Sequence, residues 1–341
     1  VRGGQLVRNR TPRQTTVDNA GSAWALAAHL RDEISVWKFL VIPGLRVEHI
    51  LTNFRDDLRD DADEDSVEGS ATQFVLLPGV AFLFQPLPEL GILGGVHRGF
   101  SPVTPGQPDE IQPEVSINYE GGARFTLEDT VQADLVGFFN DYSNLSGQCT
   151  FSSGCSDAFI DEQFNGGEVH TFGIEASAKA QIETPFDTDF PLSGSYTFTQ
   201  TELLTPFESS SPQLARVEPG DELPYIPAHQ FAAAVGAVYQ DRYGLELSLT
   251  FIDRMREAAG QGAPLSSDEG PVDDVGRLFT DAVVNFDLAA FAQVLPELQL
   301  YGKAENLLNR RSIVSRRPLG ARPTRPLFVQ AGVKVQIGSK P

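Results

Sequence analysis

Few residues in this chain could do acid–base, anion-binding or metal chemistry, and their spacing limits what each can do. The segment GGVHRGFSPVTPG, residues 94–106, sets His97 beside Arg98 after two glycines. A phosphate cradle needs a helix N-terminus after its glycines, and a proline-rich stretch follows here instead. A catalytic pair needs a nucleophile or a second proton-transfer group, and none lies nearby. Alternation along the segment puts His97 on one face with Gly95 and Gly99, and Arg98 on the other with Val96 and Phe100. His97 and Arg98 therefore belong to opposite faces of one strand. The plainer reading is that both residues close a strand.

Near the end, RRSIVSRRPLGARPTR carries Arg310, Arg311, Arg316, Arg317, Arg322 and Arg325 inside an acidic protein. Guanidinium forks suit carboxylates and phosphates. Pairing with acidic loops of the same chain is an equal reading. The acidic run DDLRDDADEDSVE, residues 56–68, lacks a calcium-loop spacing: Ser66 stands where glycine is needed and Thr72 where the closing glutamate belongs. It reads as a solvated loop. Cys149 and Cys155, in QCTFSSGCSD, are close enough for a small disulfide in an oxidising compartment. A two-thiol metal site is the rival, but no further Cys or nearby His completes four ligands. The five histidines are scattered, and no P-loop, H-E-x-x-H or G-x-S-x-G occurs. Neither an enzyme nor a bound cofactor is expected.

The elements that must carry these residues have a period of two. In GLELSLTFID, Leu245, Leu247, Leu249 and Phe251 share one face, and Glu246, Ser248 and Thr250 the other. The pattern recurs in EVSINYEGGARF, VQADLVGFF, GIEASAKAQ, LSGSYTFTQT, TDAVVNFDL, LQLYGKAEN and VQAGVKVQI. AWALAAHLRDEISV is the most helix-like stretch by propensity and still reads as a strand in this series. About thirteen strands are expected, near 22–35, 37–50, 72–84, 90–100, 114–126, 130–142, 167–181, 190–202, 224–239, 243–255, 275–288, 296–306 and 325–337. Short connections, such as 240–242 and 289–295, alternate with long ones, such as 143–166 and 307–324. A soluble sandwich gives no reason for that alternation. A bacterial outer-membrane barrel does, with short turns on one side and long loops on the other. So many long strands would also enclose a lumen too wide for side chains to fill. The predicted fold is an all-β, antiparallel transmembrane barrel meander, with polar residues toward water and Tyr119, Phe139, Tyr196, Phe198, Phe251 and Phe286 on the lipid side. The formal net charge of −20 argues against nucleic acid as a partner.

GGVHRGFSPVTPG, EVSINYEGGARF, FNGGEVHTFGIEASA and YGKAENLLNRRSIVSRRPLGARPTRP together resemble the C-terminal barrel of TonB-dependent outer-membrane receptors. The E-x-S-x-N-Y-E-x-G-x-R run and the N-L-L-N near the end are the most specific parts. HRGFSP points to the ferric-citrate receptor branch. The resemblance covers about residue 20 to 337. It implies a Gram-negative outer membrane, a ferric chelate as cargo, TonB as the energy source, and contact with membrane lipid and lipopolysaccharide. Such receptors carry a plug domain and a twenty-two-stranded barrel. Neither the plug nor the first strands are expected within these 341 residues, which should form an open curved sheet with edges near 22–35 and 325–337. Val1 at the start and Met255 as the sole methionine fit a chain without its natural start. The resemblance places His97, Arg98, Arg316, Arg317 and Arg322 as candidate rim or ligand contacts. A passive porin-like channel and a soluble or surface all-β binding module are the alternatives.

Overall fold

The computed structural model describes residues 18–57, 67–107, 111–128, 130–156, 159–260, 266–267, 270–271, 279–317 and 320–336. Thirteen long strands follow the chain: β1 (Asn19–Arg31), β2 (Phe39–Asp56), β3 (Val67–Leu87), β4 (Leu90–Ser101), β5 (Glu114–Leu127), β6 (Val131–Ser143), β7 (Val169–Glu183), β8 (Thr188–Leu203), β9 (His229–Tyr239), β10 (Tyr243–Ile252), β11 (Val283–Leu295), β12 (Leu298–Glu305) and β13 (Phe328–Val335). Each pairs antiparallel with its sequence neighbours, and β1 and β13 form the two edges of one sheet. The described residues contain no α-helix. The most helix-like stretch is strand β1 followed by a three-residue strand, Ile34–Val36, folded against β2.

Register fixes the two faces, because residues paired across strands point the same way. One row reads Gln132, Lys179, Ser193, Ala234, Ser248, Asp287. Another reads Leu192, Val235, Leu247, Leu288, Ala304, Val329 on the opposite face. The second face exposes large apolar side chains that water would penalise, Leu245 and Leu247 among them. At the short-turn end it carries Trp37, Phe39 and Phe84, with the two phenylalanines stacked at 4.4 Å, and the Tyr239–Tyr243 pair. Toward the long-loop end it carries Tyr119 and Phe139, 6.1 Å apart. From Tyr243 to Phe251 the strand climbs roughly 27 Å at about 3.4 Å per residue. Tilted by about 40°, that rise is ~20 Å, close to the apolar band of a membrane barrel.

Two strand positions differ from expectation. The strand expected at 275–288 lies at Val283–Leu295, and its tight turn is Pro296-Glu297 rather than 289–295. The alanine-rich LAAFAQVL gives no polar alternation, yet it stays in the sheet, paired with β10 on one side and β12 on the other. The strand expected from 224 begins at His229, since Pro224 and Pro227 lack the N–H the ladder needs. The acidic run from 58 to 66 lies outside the described residues.

Candidate functional site at the long-loop mouth

From the segment after β4 onward, the described parts of the segments joining strands at the long-loop end interlock, each with the next. The segment after β4 meets the one after β6 through side-chain amides. Gln107 donates to the Asp161 carbonyl at 3.0 Å and accepts from Gln163 N–H at 2.9 Å. Gln163 accepts from Thr104 N–H at 3.0 Å. Asn165 accepts from Gln112 N–H at 2.9 Å and donates to its carbonyl at 3.0 Å. An amide has both donor and acceptor, so it can continue a backbone pattern between loops that do not pair directly.

The segment after β6 folds back as a short ribbon, Ser146–Gln148 against Gln163–Asn165, above which Cys149 and Cys155 are bonded with Cα atoms 5.7 Å apart. Cys149 is fully buried, beside the Ser210 hydroxyl of the segment after β8. Beneath this contact Val169, Leu203 and Val217 form an apolar cluster joined by Tyr142, Phe207 and Leu223. The segment after β8 is tied to the one after β10 by Ala259 N–H to the Gln213 carbonyl and Tyr225 N–H to the Arg256 carbonyl, both 2.8 Å. Arg256 also donates to Glu222 at 3.0 Å and lies over the Phe279 ring with Arg254, each 4.9 Å from its centroid.

The sequence-predicted residues fall at separate places. His97 is on the inward face of β4, exposed, in register between Gly79 and Asn118. Arg98 faces outward, in a row with Ile117, Asp141 and His170, one step above the row of Val96, Tyr119 and Phe139. Its Nη1 reaches the Leu76 carbonyl at 3.4 Å. Arg316 donates to Glu257 at 3.1 Å and to the Phe279 carbonyl at 2.7 Å. Glu257 is buried, and a buried carboxylate needs such a partner. For Arg316 the pairing reading therefore describes the geometry. Arg317 reaches the Pro212 carbonyl at 3.5 Å and lies near Gly154 in the disulfide loop. Arg322 is exposed, on a two-residue ribbon opposite Ser315. Among the described residues no group of three His, Cys, Asp or Glu could hold a metal ion. Sequence reasoning did not find Gln107, Gln163, Asn165 or Glu257, whose partners lie far along the chain.

A long antiparallel meander with one apolar face, one polar face and a collar of long loops has the build of a β-barrel wall. The chain belongs to the TonB-dependent receptor family: the model described as "TonB dependent receptor-like, beta-barrel" matches residues 2–307. That family is one of transport receptors. Among solved structures, the chain is similar to the siderophore receptor PiuA from Acinetobacter baumannii, with 16% identity, TM-score 0.71, and 93% of this chain covered against 44% of that one. It is similar to the ferric yersiniabactin uptake receptor FyuA from Yersinia pestis, with 15% identity, TM-score 0.69, and coverage of 93% against 46%. It is also similar to the ferric citrate transporter FecA, with 17% identity, TM-score 0.69, and coverage of 97% against 48%. At these identities the likeness is one of fold. The chain spans about half the length of the structures it matches. No curated protein matches it.

Proposed function

We propose that this chain is the barrel wall of an outer-membrane receptor that imports a ferric chelate of siderophore or ferric-citrate type. TonB would drive import through a plug domain outside this sequence. The family match carries the reading, and similarity to a ferric yersiniabactin uptake receptor and a ferric citrate transporter supports the cargo class. The exposed apolar face with aromatics near both ends supports a place in the outer membrane, with lipid around it. In this reading His97 faces the lumen, Arg98 meets lipopolysaccharide phosphate, and Arg317 and Arg322 offer guanidinium groups to an anionic chelate. Arg316, already engaged with Glu257, shapes the collar. The protein performs no covalent chemistry and holds no cofactor of its own.

The test uses the full-length gene in cells lacking their own ferric-chelate receptors. Radio-iron uptake is measured with ferric citrate and with catecholate and hydroxamate siderophores, with and without TonB. Uptake of one chelate class that vanishes without TonB is expected. Uptake that survives loss of TonB would make the protein a passive channel, and no uptake of any ferric chelate would remove the cargo assignment.

A further inference from the structure

We infer that residues 102–107, PVTPGQ, form a strap folded into the mouth that narrows it on the side of β1, β2 and β3. The inward residues of β2 and β3 are mostly half-buried or exposed. Near the long-loop end, however, Ile50, Thr52 and Val75 are buried, at 7%, 5% and 6% exposure. These residues share the inward face with Phe54 and Gln73, by register. The strap lies against that same face. Val103 N–H points to the Gln73 side-chain oxygen at 3.4 Å. Pro105 Cβ lies 3.5 Å from where a Cβ on Gly21 would stand. Gly106, at φ +83°, is seated on the Phe54 ring, where a side chain would collide. The other side of the strap is bonded to Gln163 and Asp161 of the disulfide-bearing segment. Val103, Pro105 and Gln107 are half-buried, while Pro102, Thr104 and Gly106 are exposed.

A strap held on both sides, with no charged residue, selects by size and shape rather than by charge. It steers a bulky solute away from β1–β3 toward the wall of β6–β10, where Asp134, Lys179, Ser195 and Thr250 line an open depression. The steering of a solute rests on the uptake reading, whereas the position of the strap does not. Two measurements on the full-length receptor in intact cells need no transport. In the first, Val75→Cys and, separately, Thr250→Cys are labelled from outside with a membrane-impermeant maleimide. Val75→Cys is expected to react at least tenfold more slowly than Thr250→Cys. Its rate should rise about tenfold when residues 102–107 are replaced by glycine and serine. Equal rates, or no rise on replacement, overturn the inference. In the second, Gly21→Cys combined with Pro105→Cys should crosslink on mild oxidation, because the Cβ separation lies within the range a disulfide needs. A receptor at the cell surface that fails to crosslink counts against the strap. Failure of ferric-chelate uptake with both results intact would overturn the cargo reading and leave the strap standing.

Discussion

Asn306 and Asn309 occupy left-handed backbone, at φ +54° and +48°, where the chain leaves β12. Asparagine tolerates that conformation better than most side chains. The Asn306 amide donates to the carbonyls of Arg310 and Arg325, at 2.7 and 2.8 Å, and its oxygen accepts from Arg310 N–H at 3.1 Å. The Asn309 oxygen accepts from Leu327 N–H at 3.0 Å. The N-L-L-N signature is thus a clamp that fixes both ends of the arginine-rich segment. The motif was legible in the sequence, but its role was not, because the partners lie up to nineteen positions away. Asn306→Ala should strand buried polar groups at about 1–3 kcal/mol each. Amide exchange across 310–325 is expected to accelerate, while exchange in β5–β8 stays unchanged. Asn306→Gly relieves only the backbone, so it should behave like alanine; recovery of protection with glycine would show that conformation, not bonding, matters. Glu257→Gln tests a neighbouring link. It leaves Arg316 with a weaker partner in a buried place and should expose the 306–327 segment to added protease, whereas Glu218→Gln, at an exposed ion pair, should not.

For an element, the face a residue occupies decides what a substitution does. Leu247 and Ser248 are adjacent in β10, one outward among Val235 and Leu288, the other inward between Ala234 and Asp287. Arginine at 247 meets hydrocarbon and costs about 2–4 kcal/mol near mid-membrane. At 248 it meets the polar face. Leu247→Arg is expected to lower the amount of heat-resistant, membrane-assembled receptor severalfold, with Ser248→Arg close to the parent. Equal losses would mean that the faces are assigned wrongly. The strands themselves were legible because a half-buried ribbon needs alternation. Where alternation fades, the sequence carries no strand signal: residues 289–295 read as a connection, while the structure runs β11 through them. The loops were legible only as loops. Their interlocking depends on contacts such as Gln107 with Asp161, which leave no local pattern. The cysteine loop is the exception, since six positions of separation are visible in sequence. Closing so short a loop is worth roughly 2 kcal/mol in the chain-entropy account. Cys155→Ser should therefore open 149–163 to protease and leave the strands protected.

At the scale of the whole molecule, the sheet has two edges. β1 is paired with β2 and β13 with β12, and they are not paired with each other. Among the described residues, each edge presents a row of backbone N–H and C=O groups without a strand partner, and hydrocarbon supplies none. One unsatisfied group in that medium costs several kcal/mol, so a row of them outweighs the few kcal/mol of net stability typical of a folded domain. Two routes relieve the cost. Further strands can complete the wall, or the two edges can meet in a smaller barrel. The second route needs curvature that the thirteen-strand sheet does not adopt in this structure. It would also bring Val329 and Val333, outward and exposed on β13, beside the outward Trp24 and Leu26 of β1. The outward faces are compatible in chemistry, so side-chain polarity alone does not forbid closure; the geometry of the sheet does. The 341 residues refolded in detergent are therefore expected to aggregate or to show rapid amide exchange in β1 and β13, with slow exchange in β5–β10. In a planar bilayer they should give no discrete, stable conductance. A steady single-channel step from this polypeptide would mean that the edges do close, and a passive pore would then become the better description of what these strands can build.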